Sequence, residues 1–162
     1  SRVLFDVVVS EKTIPQFSYG FSIGSVKRVG WYLTAMSNFN FKGIGTDYHC
    51  YENGYVNGYF NGNLPFYSGD RSLTRISAMG DVAFRALPCW QLHFGIGYGY
   101  KGVYWGTTND KWIKVDDYSY NSLDMEMGTD FRIKGFFLSA GVVLSNLNEF
   151  EAKVGLGFSL RK

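Results

Sequence analysis

No apolar run in this sequence approaches the roughly 20 residues that a membrane-spanning helix requires, so a helical membrane protein is excluded. A membrane barrel is not excluded, because alternating strands average to an unremarkable mean hydropathy, here −0.11. Proline is scarce, with 3 residues, and no stretch carries helix-period apolar spacing of useful length. Clustered basic charge is also missing: a net charge of +2 gives no sign of a nucleic-acid face. Two histidines and two cysteines leave little material for a catalytic constellation or a cysteine-based metal site. No signal peptide is present, and the chain opens at Ser1, as expected of a mature or trimmed form.

Aromatic residues make up 19% of the chain, with 20 glycines, a composition that favours many strands joined by tight turns. Period-two alternation predicts strands at about 3–9, 16–26, 31–41, 73–87, 90–106, 118–133, 136–145 and 149–160. Eight is the number at which a closed barrel is just filled by its own side chains. One set of alternating positions is apolar throughout, as in Phe17, Tyr19, Phe21 and Ile23, or Leu92, Phe94, Ile96 and Tyr98. The opposite set holds glycine, serine and nearly matched charges: Arg75, Asp81 and Arg85, then His93 and Lys101, then Asp124, Glu126, Asp130 and Arg132, then Glu151 and Lys153.

The orientation of these two faces decides the class of protein. An apolar interior would make a soluble, lipocalin-like cup for a small hydrophobic ligand, with its glycine stripe weakening the solvated outside. An apolar exterior would put the rings on lipid, the glycines in a narrow lumen, and the charges in pairs there. The second arrangement accounts for both sets. Ring placement agrees, with Trp31 and Trp90 at strand starts and Tyr98, Tyr100 and Tyr104 toward far ends, as membrane-interface aromatics would be. Connections alternate too: short at 26–30, 87–90 and 133–135, longer at 10–16, 42–72 and 107–117, with 145–149 a brief exception.

Over most of its length this pattern resembles the small eight-stranded outer-membrane barrels of the OmpA, OmpX and OmpW type. The segments GWYLTAMSNFNF (30–41) and GYGYKGVYWGTTNDKWIKVDDYSY (97–120) are similar, more narrowly, to outer-membrane barrel domains of Bacteroidetes. The resemblance implies an all-β, eight-stranded antiparallel up-and-down transmembrane β-barrel in a bacterial outer membrane, loops at the cell surface and termini in the periplasm. Such chains often end on an aromatic residue, whereas this one ends FSLRK, with Phe158 nearest. A single domain, 1–162, with a long surface loop at 42–72 is expected. The implied partners are the lipid bilayer and lipopolysaccharide, with other envelope proteins as candidates for a complex and no nucleic acid.

Candidate chemical sites are few. Gly97, Gly99 and Gly102 match G-x-G-x-x-G, but the match falls within an alternating strand and reads as lumen-lining glycine rather than a dinucleotide site. His93 reads as a lumen hydrogen-bonding partner, and the lumen charges as a salt-bridge network filling the barrel rather than an ion path. His49, beside Asp47 and Cys50, is a weak metal signal without a second Cys or His nearby. Cys50 and Cys89 fall at opposite ends of the expected barrel, too far apart for a disulfide. No catalytic residue, metal or cofactor is expected, although a barrel enzyme acting on outer-membrane lipid is an alternative class.

The remaining signal is the loop. ENGYVNGYFNG (52–62) sets down Asn-Gly three times, each a candidate tight turn. Asn53-Gly54 is the expected hairpin tip, with the other pairs as bends. Tyr48, Tyr51, Tyr55, Tyr59, Phe60, Phe66, Tyr67 and, from the next long loop, Trp112 are candidates for a binding surface, since tyrosine supplies contact area at low entropic cost. Rings that merely cover the barrel mouth are the equal alternative.

Overall fold

A computed structural model describes residues 2–10, 16–50, 67–108 and 110–160. Among them are ten strands: β1 Arg2–Ser10, β2 Gln16–Val26, β3 Val29–Ser37, β4 His49–Cys50, β5 Tyr67–Leu87, β6 Trp90–Thr107, β7 Trp112–Val115, β8 Tyr120–Ile133, β9 Phe136–Ser145 and β10 Glu149–Ser159. The sheet runs β4-β7-β6-β5-β3-β2-β1-β10-β9-β8, and a further pairing joins the last of these, β8, to β6. Eight strands therefore form an antiparallel up-and-down ring, the fold class that the alternation predicts, with β4 and β7 as additions.

The described residues group into two compact units: 1–38, 76–99 and 122–162 in one, and 39–75 with 100–121 in the other. In the first unit register follows from the turns. Lys134 and Gly135 both take positive φ, 48° and 103°, the type I′ geometry that matches strand twist. The two-residue connections at 27–28 and 88–89 are as short as the sequence implies. Side chains then alternate strictly, and the direction is the informative part. Phe17, Leu33, Phe94, Tyr98 and Leu156 are exposed, whereas Ser22, Thr34, Asp81, His93, Asp130 and Lys153 are buried. Glycine is needed where strands crowd the interior: a Cβ on Gly97 would stand 2.0 Å from the Ala78 carbonyl oxygen.

The second unit departs from simple alternation. Strand β3 stops at Ser37 rather than 41, followed by left-handed backbone at Phe39 and positive φ at Gly43 and Gly45. The chain instead makes β4, which pairs in parallel with β7 through His49↔Lys114 and Cys50↔Val115. Pieces of two and four residues are too short to leave a periodic trace. β7 pairs antiparallel with β6, Trp105 facing Ile113. Cys50, Leu73, Val103, Ile113 and Val115 form a small apolar core here, with Trp105 packed against it.

Candidate functional site

Five buried side chains of the first unit meet in one cluster, and each is delivered by the inward parity of its strand. Asp81 comes from β5, His93 from β6, Glu126 and Asp130 from β8, and Lys153 from β10. Lys153 Nζ lies 2.9 Å from Glu126 Oε2 and 3.2 Å from Oε1, a forked ion pair. The His93 ring stands between two acids, Nε2 3.6 Å from Glu126 Oε1 and Nδ1 3.4 Å from Asp130 Oδ2. Tyr32 donates to Asp130 Oδ2 and to Gln91 Oε1, both at 3.4 Å. Its ring meets that of His93 edge-on at 6.0 Å. Thr34 donates to Asp81 Oδ2 at 3.4 Å and shares a 2.9 Å bond with Ser22.

Two glycines make the room for this cluster. A Cβ on Gly95 would lie 1.8 Å from Asp81 Oδ1, and one on Gly128 would lie 2.5 Å from His93 Nε2. Such alternation of small and large positions lets side chains fill a narrow barrel.

Of the other expected lumen charges in this unit, Asp124 accepts from Ser77 and, at 2.7 Å, from Ser122. Glu151 is buried. Arg85 donates to the Val26 carbonyl at 3.2 Å, and Arg132 is half-buried beside the 134–135 turn. Arg75 and Lys101 are buried in the second unit, where Lys101 Nζ lies 5.8 Å from the centre of the Tyr120 ring.

The expected interface aromatics divide. Trp31 and Tyr98 are exposed, and Trp90 is half-buried, donating to Thr129 Oγ1 and stacking on Phe131 at 6.4 Å. Tyr104 is a correction: only 2% exposed, it is buried in the second unit, with its hydroxyl 2.9 Å from that of the half-buried Tyr100. Strand β6 is enclosed on both faces from Lys101 to Tyr104, so parity no longer assigns a ring to the outside.

On the second unit, Tyr48 is exposed with Lys111 Nζ over its ring at 5.6 Å, and Trp112 is half-buried. His49 Nδ1 bonds Asp116 Oδ1 at 2.9 Å, a partner that β4–β7 pairing supplies and that sequence spacing could not indicate. Cys50 is buried and Cys89 exposed, and both are free thiols. Burial, then the charges of Asp116 and Asp117, push the Cys50 thiol up to about 11. Tyr51, Tyr55, Tyr59, Phe60, Phe66 and the Asn53-Gly54 tip lie outside the described residues, as does the side chain of Tyr67.

No protein-family model matches this chain, and no curated protein does. Solved structures match it in fold. Ail, the attachment invasion locus protein of Yersinia pestis, aligns with a TM-score of 0.55 at 14% identity over 96% of this chain and 91% of that one. The backbone structure of the same outer-membrane protein in a phospholipid bilayer nanodisc gives 0.52 at 11%, over 97% of each chain. A designed transmembrane β-barrel gives 0.52 at 13%, over 98% and 95%. The structural neighbours are thus small transmembrane barrels, as the sequence resemblance implies at the level of fold.

Proposed function

We propose that this chain is a non-enzymatic integral outer-membrane barrel with a closed, charge-paired lumen, acting through its long loops as a surface-exposed structural or binding protein or as a subunit of a larger envelope complex. One observation carries the proposal: along its strands the first unit exposes most of its large apolar residues and encloses a charged cluster, with only two small apolar clusters, Val26, Tyr32, Ala83 and Phe137, and Met36, Met79 and Val143, buried beside it. Leu156 is 65% exposed and Phe94 57%, while Asp130 is fully buried. In water such a surface costs about 25 cal/mol for each Å² left uncovered, and contiguous patches of this kind mark contact with a membrane or a partner. In lipid it costs nothing, and the polar interior is what a membrane barrel requires. Strand lengths agree, since β2, β3, β9 and β10 have 11, 9, 10 and 11 residues, against the roughly 9–11 of a tilted spanning strand.

The bilayer and lipopolysaccharide are the implied partners, with loops outward and termini in the periplasm. Exposed Tyr48 with Lys111 above it offers a ring and a cation to anionic headgroups. A lipocalin-like cup would need an apolar cavity, whereas the side chains around His93 are charged or polar and the buried apolar clusters of this unit are small. His93 stands between the carboxylates of Glu126 and Asp130 in a buried cluster, which favours a structural over a hydrolytic role.

Refolding from denaturant in plain buffer and in detergent micelles, read by far-ultraviolet circular dichroism and an unboiled gel, tests the proposal. A β spectrum with a faster-running unboiled band only in detergent is expected. A monodisperse β protein in plain buffer overturns it.

A further inference from the structure

We propose that the barrel interior holds one divalent transition-metal ion, with zinc the best match, ligated by Asp81, His93 and Glu126. A carboxylate oxygen of each acid and a ring nitrogen of His93 all lie within 4.8 Å of one another, and all three residues are buried. One imidazole and two carboxylates suit zinc or a neighbouring first-row ion better than calcium or magnesium, which take oxygen alone.

Two further observations point to an ion rather than to a plain salt-bridge plug. First, Asp81 Oδ1 is buried with no hydrogen-bond partner, over the space that Gly95 leaves open and beside Glu126. A carboxylate oxygen left so is costly unless a cation meets it. Second, both ring nitrogens of the buried His93 face acids, Nε2 toward Glu126 and Nδ1 toward Asp130, and Nδ1 makes no hydrogen bond. Lys153, forked onto Glu126, is the counter-charge that keeps that carboxylate in place.

The test is to refold the full chain in detergent with zinc, dialyse extensively, and measure metal content against protein that runs as the folded band on an unboiled gel. One equivalent is expected in the unaltered chain and in His49→Gln, which removes the histidine of the second unit. Asp81→Asn and His93→Gln should each weaken retention tenfold or more in a competition with a chromophoric chelator. Absence of zinc from the folded, unaltered barrel overturns the proposal. So does retention that is lost in His49→Gln or kept in both cluster variants. If the cluster variants give no folded band, cobalt refolded into the unaltered chain decides: visible absorption of an ion with nitrogen and oxygen ligands supports the site, and its absence overturns it.

Discussion

In the first unit Leu156, Tyr98 and Phe94 lie bare while Glu126, Asp130 and Lys153 are enclosed; in the second, Leu73, Ile113 and Val115 are enclosed while Lys111, Asp117 and Tyr48 lie bare. One chain therefore obeys two opposite burial rules. The hydrophobic effect removes apolar area from water, so the side on which apolar groups settle reports the solvent outside. A unit whose strands bare their apolar side is shaped for hydrocarbon, and one that gathers apolar side chains into a core is shaped for water. The inversion is not complete, since the second unit also buries Arg75 and Lys101 and exposes Phe39, Phe41 and Ile44, and the first buries small apolar clusters around Phe137 and Met79.

Lys153→Met should break the first unit most. It leaves the buried Glu126 carboxylate without its cation, an event that costs about 3–5 kcal/mol. The expected result, in the presence of chelator, is a large drop in the urea midpoint for unfolding from detergent; an unchanged midpoint would show that Lys153 supports nothing. Ile113→Ala strikes the small core of the second unit, at about 2–5 kcal/mol for such a truncation. Limited proteolysis should then cut within 39–75 or 100–121 while the barrel's heat-sensitive gel band survives. Loss of that band together with the cuts would mean that the units are not separable in stability.

Ile96→Arg, on the exposed face of β6, should cost about 2–4 kcal/mol if it meets the bilayer midplane. Folding yield into vesicles measures this, and a full yield would place Ile96 outside the hydrocarbon. The smallest effect involves no stability at all. Cys89 should react promptly with maleimide in the folded protein. Cys50, buried and with its pKa raised to about 11, stays a protonated thiol at neutral pH and should react only after unfolding or as the pH climbs toward that value. Equal labelling of both at neutral pH would contradict the enclosure of the second unit's core.

What could be read in advance divides along the same line. The barrel strands were legible because period-two alternation survives over whole strands: 16–26, 136–145 and 149–160 fall within a residue of β2, β9 and β10. The face assignment was legible from glycine and charge sharing one parity. The two-residue β4 and its parallel pairing with β7 carry no such signal, because a long-range pairing of short pieces depends on packing around Cys50 and Val115. Tyr104 misled for a related reason: in a strand enclosed on both faces, parity stops distinguishing inside from outside. The cluster's five members, all buried, were recognisable as members of the polar face. Their grouping was not, since which of eleven inward residues touch depends on strand stagger, and that emerges only with register.

Gly95 and Gly128 give the interior a consequence for descent. Each is the mould for a particular neighbour, one for the Asp81 carboxylate and the other for the His93 ring. Neither pair can drift one residue at a time: a larger residue at either glycine must displace its partner first. Among relatives of this chain Gly95 should vary together with Asp81, and Gly128 together with His93, so each pair behaves as a single heritable character.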